Sequence, residues 1–427
     1  MTGNPGLDAL LPAIGPLIDA GVRLGLPGNA IVSAWSVSTQ PTGDILERLD
    51  ATTSARAIAA VPTGRSTADL GIGLPGLADL YAGFIEISYY GSQTAPLDSV
   101  WIAPPPTDDD PTPLPAGEPV KIPLLASRPN PRSGMTKPDY GSPVAVLQHG
   151  ITRDRTTMVT MADAFARFGF AVVAIDLPLH GVTDINSPFY NAPTNPFGTT
   201  ERHFGLDNVG QLGNYAADGV IDNGWQILNL NNPLNARDNG RQAVADLIQL
   251  VRSLPNLDFD ADGEADVDGG RIHFVAVSLG SIFSTAFLAI NDDIRTATLA
   301  SPGGPYTQFL YDPGAIDFGL PMRRAIEAQG LAFGTLAFDN FARDLQTILD
   351  PIDPINFGAA AAINHPIHVI EVVSDIAVPA TLTDNLARVM GLTDISETTV
   401  DAGGIRGIVR FTAGVTRRSS IRSSISP

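Results

Sequence analysis

The stretch Ile272-His-Phe-Val-Ala-Val-Ser278-Leu-Gly-Ser-Ile-Phe-Ser-Thr-Ala-Phe-Leu-Ala-Ile290 decides the fold class. Five of its first six residues are apolar and two of the last three are valines, as in a buried strand, and from Leu279 the apolar residues continue at helical spacing. The handover falls on Ser278, with the small residues Ala276 and Gly280 two positions to either side. Strand and helix backbones pass close at such a turn, and a serine held there is exposed as a nucleophile. The same short pattern also occurs at ordinary turns, so the surrounding strand series carries the weight. The uncharged run His273 to Ile290 changes character halfway and contains Ser278, Gly280, Ser281 and Ser284, which makes it core rather than a transmembrane span.

Outward from this stretch, short β-branched runs alternate with longer amphipathic ones from about Val144 onward. Strands are expected at Val144 to Leu147, Ala171 to Ile175, Ile272 to Val277, Thr296 to Ala300, Ile367 to Val373 and Gly407 to Thr412. Helices are expected around Met158 to Phe165, around Val244 to Val251 and over Leu279 to Ile290. The alternation predicts an α/β chain with a mostly parallel central sheet and helices on both faces. Two long segments rich in Gly, Pro, Asn and aromatics interrupt it at about 182–235 and 302–357 and read as cap insertions. Residues 1–78 do not follow the rhythm; they hold a strand-like run, Ala30 to Thr39, and a helix near Ile45 to Leu49. They read as a small appended region, with the main domain over 79–427.

Composition narrows the function classes. The 427 residues include 26 Lys+Arg and 45 Asp+Glu, a net charge of −19, so a polyanion is repelled and nucleic acid is not an expected partner. With no cysteine there is no thiolate metal site and no cysteine nucleophile. The start, Met1-Thr-Gly-Asn-Pro, lacks the basic-then-apolar run of a signal peptide.

Two further signals share the chain with Ser278. Gln148-His149-Gly150-Ile151 ends the first core strand, where a backbone amide can help to stabilise an oxyanion. In that reading the Ile151 and Leu279 N–H groups form the hole, while His149 and Gly150 shape the loop. Asp375, just beyond the strand Ile367 to Val373, can orient a histidine or simply cap a helix; Asp353 and Asp384 are weaker rivals.

At this point the residues resemble the bacterial extracellular lipases of the virulence-factor type, within the α/β-hydrolase superfamily. The resemblance runs through Ile31-Val-Ser-Ala-Trp35-Ser-Val-Ser-Thr-Gln40, the aromatic stretch around Tyr81 to Tyr90, Gln148-His-Gly-Ile-Thr152, Asp176-Leu-Pro-Leu-His180-Gly181, Arg237-Asp-Asn-Gly-Arg241-Gln242, the serine turn and Asp350-Pro-Ile-Asp353-Pro354. It implies an α/β-hydrolase fold, a secreted or periplasmic serine esterase, and a chain retaining only the tail of a β-rich N-terminal domain. The family commonly has Gly-His-Ser-Leu-Gly-Gly at the serine, whereas Ala276, Val277 and Ser281 stand at three of those positions here.

The resemblance also implies a histidine just after the strand Gly407 to Thr412, where this chain reads Ala413-Gly-Val-Thr-Arg-Arg-Ser-Ser-Ile-Arg422; no histidine follows His368. A frameshift near Val415 would account for this, since the neighbouring frame can encode a histidine followed by small and apolar residues. Otherwise His180 or His203 is the candidate substitute base. The expected chemistry is hydrolysis of small or polymeric apolar esters, including polyesters, through an acyl-enzyme on Ser278. Cap aromatics Phe189, Tyr190, Phe197, Phe204, Tyr306, Phe309 and Tyr311 would favour apolar groups or simply pack the caps. Amide hydrolysis on the same residues, a binding protein with impaired catalysis, and a surface or adhesion module are the alternatives. No cofactor is required by this chemistry. The alternating carboxylates Asp258, Asp260, Asp262, Glu264 and Asp266 around Gly263 resemble the start of a calcium loop and make a structural calcium the candidate metal, although Gly269 stands where an EF-hand has its bidentate glutamate.

Overall fold

A computed structural model describes residues 15–27, 40–208, 217–395 and 406–412. The chain divides into two compact units, Met1–Pro41 and Thr42–Pro427. In the first, residues 15–23 are helical; the strand-like run Ala30 to Thr39 lies outside the described residues.

The second unit is built on one nine-stranded sheet in the order β1-β2-β3-β5-β4-β6-β7-β8-β9. Its strands are β1 (Ile58–Ser66), β2 (Ala78–Tyr89), β3 (Glu118–Pro129), β4 (Ser142–Gln148), β5 (Ala171–Ile175), β6 (Val267–Val277), β7 (Ile294–Ala300), β8 (Ile367–Val372) and β9 (Gly407–Phe411). From β5 through β9 every pairing is parallel, and β1, β2 and β3 extend the sheet antiparallel. The fold is therefore α/β with a mostly parallel sheet.

The boundary expected near residue 78 falls elsewhere. Residues 42–78 supply the first helix and β1, and β1 pairs along β2 within the sheet. The reason is local: β1 is an edge strand carrying Pro62 and Gly64, with a register irregularity between Pro62 and Ser66, so it has little alternation of its own.

Helices α1 (Asp44–Thr52), α2 (Val159–Ala166), α3 (Pro233–Ser253), α4 (Leu279–Ile290), α5 (Gly319–Ala328), α6 (Leu336–Leu349), α7 (Pro354–Asn364) and α8 (Ala380–Val389) surround the sheet. The larger core lies on one face, where Val146, Phe274, Leu299 and Val369 meet Val244 and Ile248 of α3, Phe287 of α4, Ala361 of α7 and Leu386 of α8. On the other face Met158, just before α2, and Ala162 of α2 pack on Leu147, Val172 and Ala174. Helices thus cover both faces, but unequally: beyond α2, Val275 and Val277 of β6 and Ile370 of β8 stay half-buried.

The two excursions differ in kind. The first has little regular structure beyond a 3-10 turn at Trp225–Leu228. A buried ionic network holds it: the Arg155 guanidinium contacts Asp176 and Glu201, and Glu201 accepts the Val182 and Asn191 N–H groups. Arg202 reaches Asp246 of α3 at 2.7 Å. The second excursion is helical, folding into α5 and α6 over an apolar cluster that includes Leu279, Phe309, Phe338 and Leu349.

Candidate active site

Ser278 stands between β6 and α4 with φ 53° and ψ −124°. A non-glycine residue holds a positive φ only where its surroundings enforce it. Here its N–H donates to the Ala300 carbonyl at 2.8 Å, and its carbonyl accepts the Ile282 N–H at 3.0 Å. The glycine expected two positions after it is required by contact: a Cβ on Gly280 would fall 2.4 Å from the His149 carbonyl oxygen and 2.8 Å from that of Gln148.

The strand end at Gln148 brings the second signal to the same place. A Cβ on Gly150 would lie 3.1 Å from Ser278 Cβ, so the Gly150–Ile151 backbone rests against the serine. Ile151, Ser278 and Leu279 line one pocket. His149 is a brace: its Nε2 accepts the Leu177 N–H at 3.0 Å and its Nδ1–H donates to the Gly150 carbonyl at 2.8 Å. With both ring nitrogens engaged and the ring fully buried, burial lowers its pKa to about 4 and the imidazole is neutral.

Asp375 lies just beyond the end of β8, which β7 separates from β6. Its Oδ2 accepts the Ser301 hydroxyl at 3.0 Å, and Oδ1 accepts the Ala377 and Val378 N–H groups at 2.8 and 3.1 Å. Ser301 follows Ala300, the residue that receives the Ser278 N–H, so β7 links the carboxylate to the serine turn; the sequence reading missed Ser301. Val378, fixed by Asp375, lines the pocket of Ser278. Asp353 is committed elsewhere, accepting the Tyr306 and Ile355 N–H groups and Gln346 Nε2. Asp384 is ion-paired to Arg410.

The pocket encloses about 420 Å³ counting its open mouth. Leu228 of the first excursion, Tyr306, Phe309, Phe318 and Met322 of the second, and Ile282 and Val378 complete its wall. Hydroxyls of Ser278 and Tyr306 are its side-chain polar groups among the described residues. The Tyr306 hydroxyl is buried without a hydrogen-bond partner, and burial, reinforced by the Asp353 charge, pushes it well above the usual phenol range.

Of the cap aromatics singled out from sequence, Tyr306 and Phe309 reach the pocket. Phe189 and Tyr190 pack with α2, Phe197 sits near Phe84, Phe204 near Tyr89, and Tyr311 against Phe338. Leu228, Phe318 and Met322 were missed, having no signal beyond being apolar within an excursion.

None of the six histidines, all of which lie among the described residues, lines this pocket. His180 donates from Nδ1 to the Pro178 carbonyl at 2.8 Å, and its Nε2 faces Gly224 so closely that a Cβ there would fall 1.8 Å away. Burial and the neighbouring His149 hold its pKa well below 6.5. His203 is buried, with Nδ1 accepting the Gly205 N–H at 3.0 Å. The position after β9 where a histidine was expected lies outside the described residues.

The acidic loop sits at the opposite end of β6 from Ser278. Asp258, Asp260 and Asp262 bring carboxylate oxygens within 4.8 Å of one another. Asp266 is withdrawn from them: its carboxylate is buried against Lys137 and Arg128 and accepts the Phe259 N–H. The Asp258–Asp262 carboxylates are thus the part of the loop that could hold a cation, and Glu264 is exposed beside them.

The motif Arg237 to Gln242 clamps α3 in place. Asp238 accepts from the Trp101 N–H, Arg237 and Arg241, while Gln242 donates to the Ser88 carbonyl and to Asp246.

No family model matches the chain, and a search of curated proteins finds no match. Among solved structures, the chain is similar to an acetyl xylan esterase from Paenibacillus sp. R4, at 14% identity over 88% of this chain and 87% of that one, with a TM-score of 0.43. Acetyl xylan esterase 1 from Thermoanaerobacterium sp. JW/SL YS485 matches at 12% identity over 89% and 90%, TM-score 0.48. An acylaminoacyl peptidase from Pyrococcus horikoshii matches at 13% identity over 80% and 39%, TM-score 0.39. Among the described residues no helix is long and apolar enough to cross a membrane.

Proposed function

We propose that the protein is a serine carboxylic-ester hydrolase acting on apolar esters, small or polymeric, with Ser278 as nucleophile. The observation that carries the reading is the strained serine at a strand-to-helix turn, set against Gly150–Ile151 and opening into an apolar pocket. Ser278 Oγ attacks the acyl carbonyl and loses its proton to a general base, and the oxyanion accepts hydrogen bonds from the Ile151 and Leu279 amides. The C–O bond to the alcohol then breaks and the alcohol leaves with that proton. Water, activated by the same base, attacks the acyl-enzyme and releases the acid. In this reading Asp375, itself held by Ser301, orients the base. No metal takes part; a cation at Asp258–Asp262 would brace the loop before β6. The resemblance to extracellular lipases makes a secreted or periplasmic enzyme the matching location.

A second reading has a specific observation in its favour: no histidine lines the Ser278 pocket. The protein would then bind apolar esters with impaired catalysis, because loss of the base costs orders of magnitude in rate while the oxyanion hole and binding remain. Hydrolysis of p-nitrophenyl butyrate separates the two. Sustained turnover abolished by Ser278→Ala supports the hydrolase; release at background rate from folded wild-type and Ser278→Ala protein alike supports the impaired protein. Sustained turnover that Ser278→Ala leaves undiminished overturns both.

A further inference from the structure

The Ser278 pocket has a neighbour. A second apolar pocket of about 330 Å³, counting its opening, is walled by Leu230, Ala236, Leu310, Leu345 and Leu349. The two share three residues, Leu228, Tyr306 and Met322, which form the partition between them. These three are not equally fixed. The Tyr306 backbone is tied by its N–H to the buried Asp353 carboxylate at 2.7 Å, and its ring lies 6.2 Å from that of Phe283. Leu228 and Met322 are only half-buried, and they come from the two different excursions. Met322 is also unbranched, with several rotatable bonds, so its side chain can fill or vacate a gap.

We infer that Met322, with Leu228 opposite, sets the length of the alkyl chain the site accepts: it closes the first pocket as a wall, and removing it joins the second as an extension. The inference rests on the proposed reading of Ser278 as the centre where an ester is bound. Every residue that the second pocket adds is apolar except Asn229. An unbranched hydrocarbon is the chain chemistry that such a lining rewards, since each methylene taken from water into it tightens binding about fourfold.

The test measures binding rather than turnover, so that it survives failure of the catalytic reading. Ser278→Ala protein is titrated by calorimetry with methyl alkanoates from butanoate to dodecanoate, which probe the acyl side, and with the matching alkyl acetates, which probe the alcohol side. In one of the two series, affinity is expected to rise about fourfold per methylene and then level off where the chain meets the wall. Adding Met322→Ala should move that break to longer chains and raise the affinity for the longest member at least tenfold. Adding Ala236→Leu, which fills the second pocket, should move the break back. Should Met322→Ala fail to fold, Leu228→Ala opens the same partition. An unmoved break in folded variants, or no break in either series, overturns the inference. If wild-type protein fails to hydrolyse any ester while the break moves as stated, the catalytic reading falls and the chain-length wall stands.

Discussion

Replacing Gly280 by alanine adds one methyl group at the point where the serine turn and the oxyanion strand meet. That methyl would sit 2.4 Å from the His149 carbonyl oxygen, 2.8 Å from the Gln148 carbonyl oxygen and 3.1 Å from the Gln148 carbonyl carbon. An ordinary carbon–oxygen contact is roughly 3.3 Å, so the two backbones must part by about 0.9 Å. Neither gives easily: Gly280 is in the first turn of α4, and the β4 end is fixed by pairing with β6 and by the His149 ring bridging Leu177 and Gly150. Overpacking of this kind costs about 1–3 kcal/mol, and the better helix propensity of alanine returns up to about 1 kcal/mol. A net loss of about 1–2 kcal/mol is expected in urea denaturation. Displacing the Gly150–Ile151 amides by most of an ångström should also lower the rate of Ser278 acylation by about a hundredfold. The rate is read from p-nitrophenol release or from phosphonate labelling. A Gly280→Ala protein as stable as wild type and labelled at the same rate would refute the close approach on which this account of the turn depends.

Other substitutions probe the elements around the site. Arg155→Ala leaves Asp176 and Glu201 buried without their cation, and a loss of about 3–5 kcal/mol in chemical denaturation is expected; a loss under about 1 kcal/mol would show that the network does not hold the first excursion. Tyr306→Phe removes a buried hydroxyl with no protein partner, so it should stabilise by about 1 kcal/mol; destabilisation would mean that the hydroxyl is satisfied after all. Glu371 is raised to about 7, chiefly by burial and by the Asp384 charge, with Arg410 opposing. Between pH 4.5 and 7 the native state therefore holds a proton that the unfolded state has lost, and this group lowers stability as pH rises through that window. Relative to Glu371→Gln, wild type should lose on the order of 1–3 kcal/mol across it, and parallel stability curves would refute the assignment. Finally, the acidic loop and Ser278 lie at opposite ends of the eleven-residue β6, a separation of roughly 35 Å along the strand. Chelation should therefore leave ester hydrolysis unchanged while added calcium raises Tm; loss of activity on chelation would contradict this placement.

The parallel half of the sheet was legible because each strand there is a short β-branched run with its own helix. Ala171 to Ile175 and Leu279 to Ile290 fall where expected to the residue, and Ser278 was marked by the handover between two periodicities. The antiparallel edge was not legible in the same way. Around Pro62 and Gly64, β1 takes its register from β2 rather than from any alternation of its own. Asp375 was visible from its place after β8, but Ser301 was not, because the bond joining them spans 74 residues. The same holds for the pairing of Arg155 with Asp176 and Glu201, which spans 21 and 46 residues. Pocket walls such as Met322 and Phe318 depend on how two excursions pack, which no local pattern encodes.

The central claim is that Ser278 is the nucleophile of an ester-processing site. Its most direct test is the reaction of folded protein with a p-nitrophenyl alkylphosphonate, followed by peptide mass spectrometry. The account predicts a single adduct on Ser278, absent from Ser278→Ala. An adduct on any other residue, or no adduct on the folded wild-type protein, would contradict it.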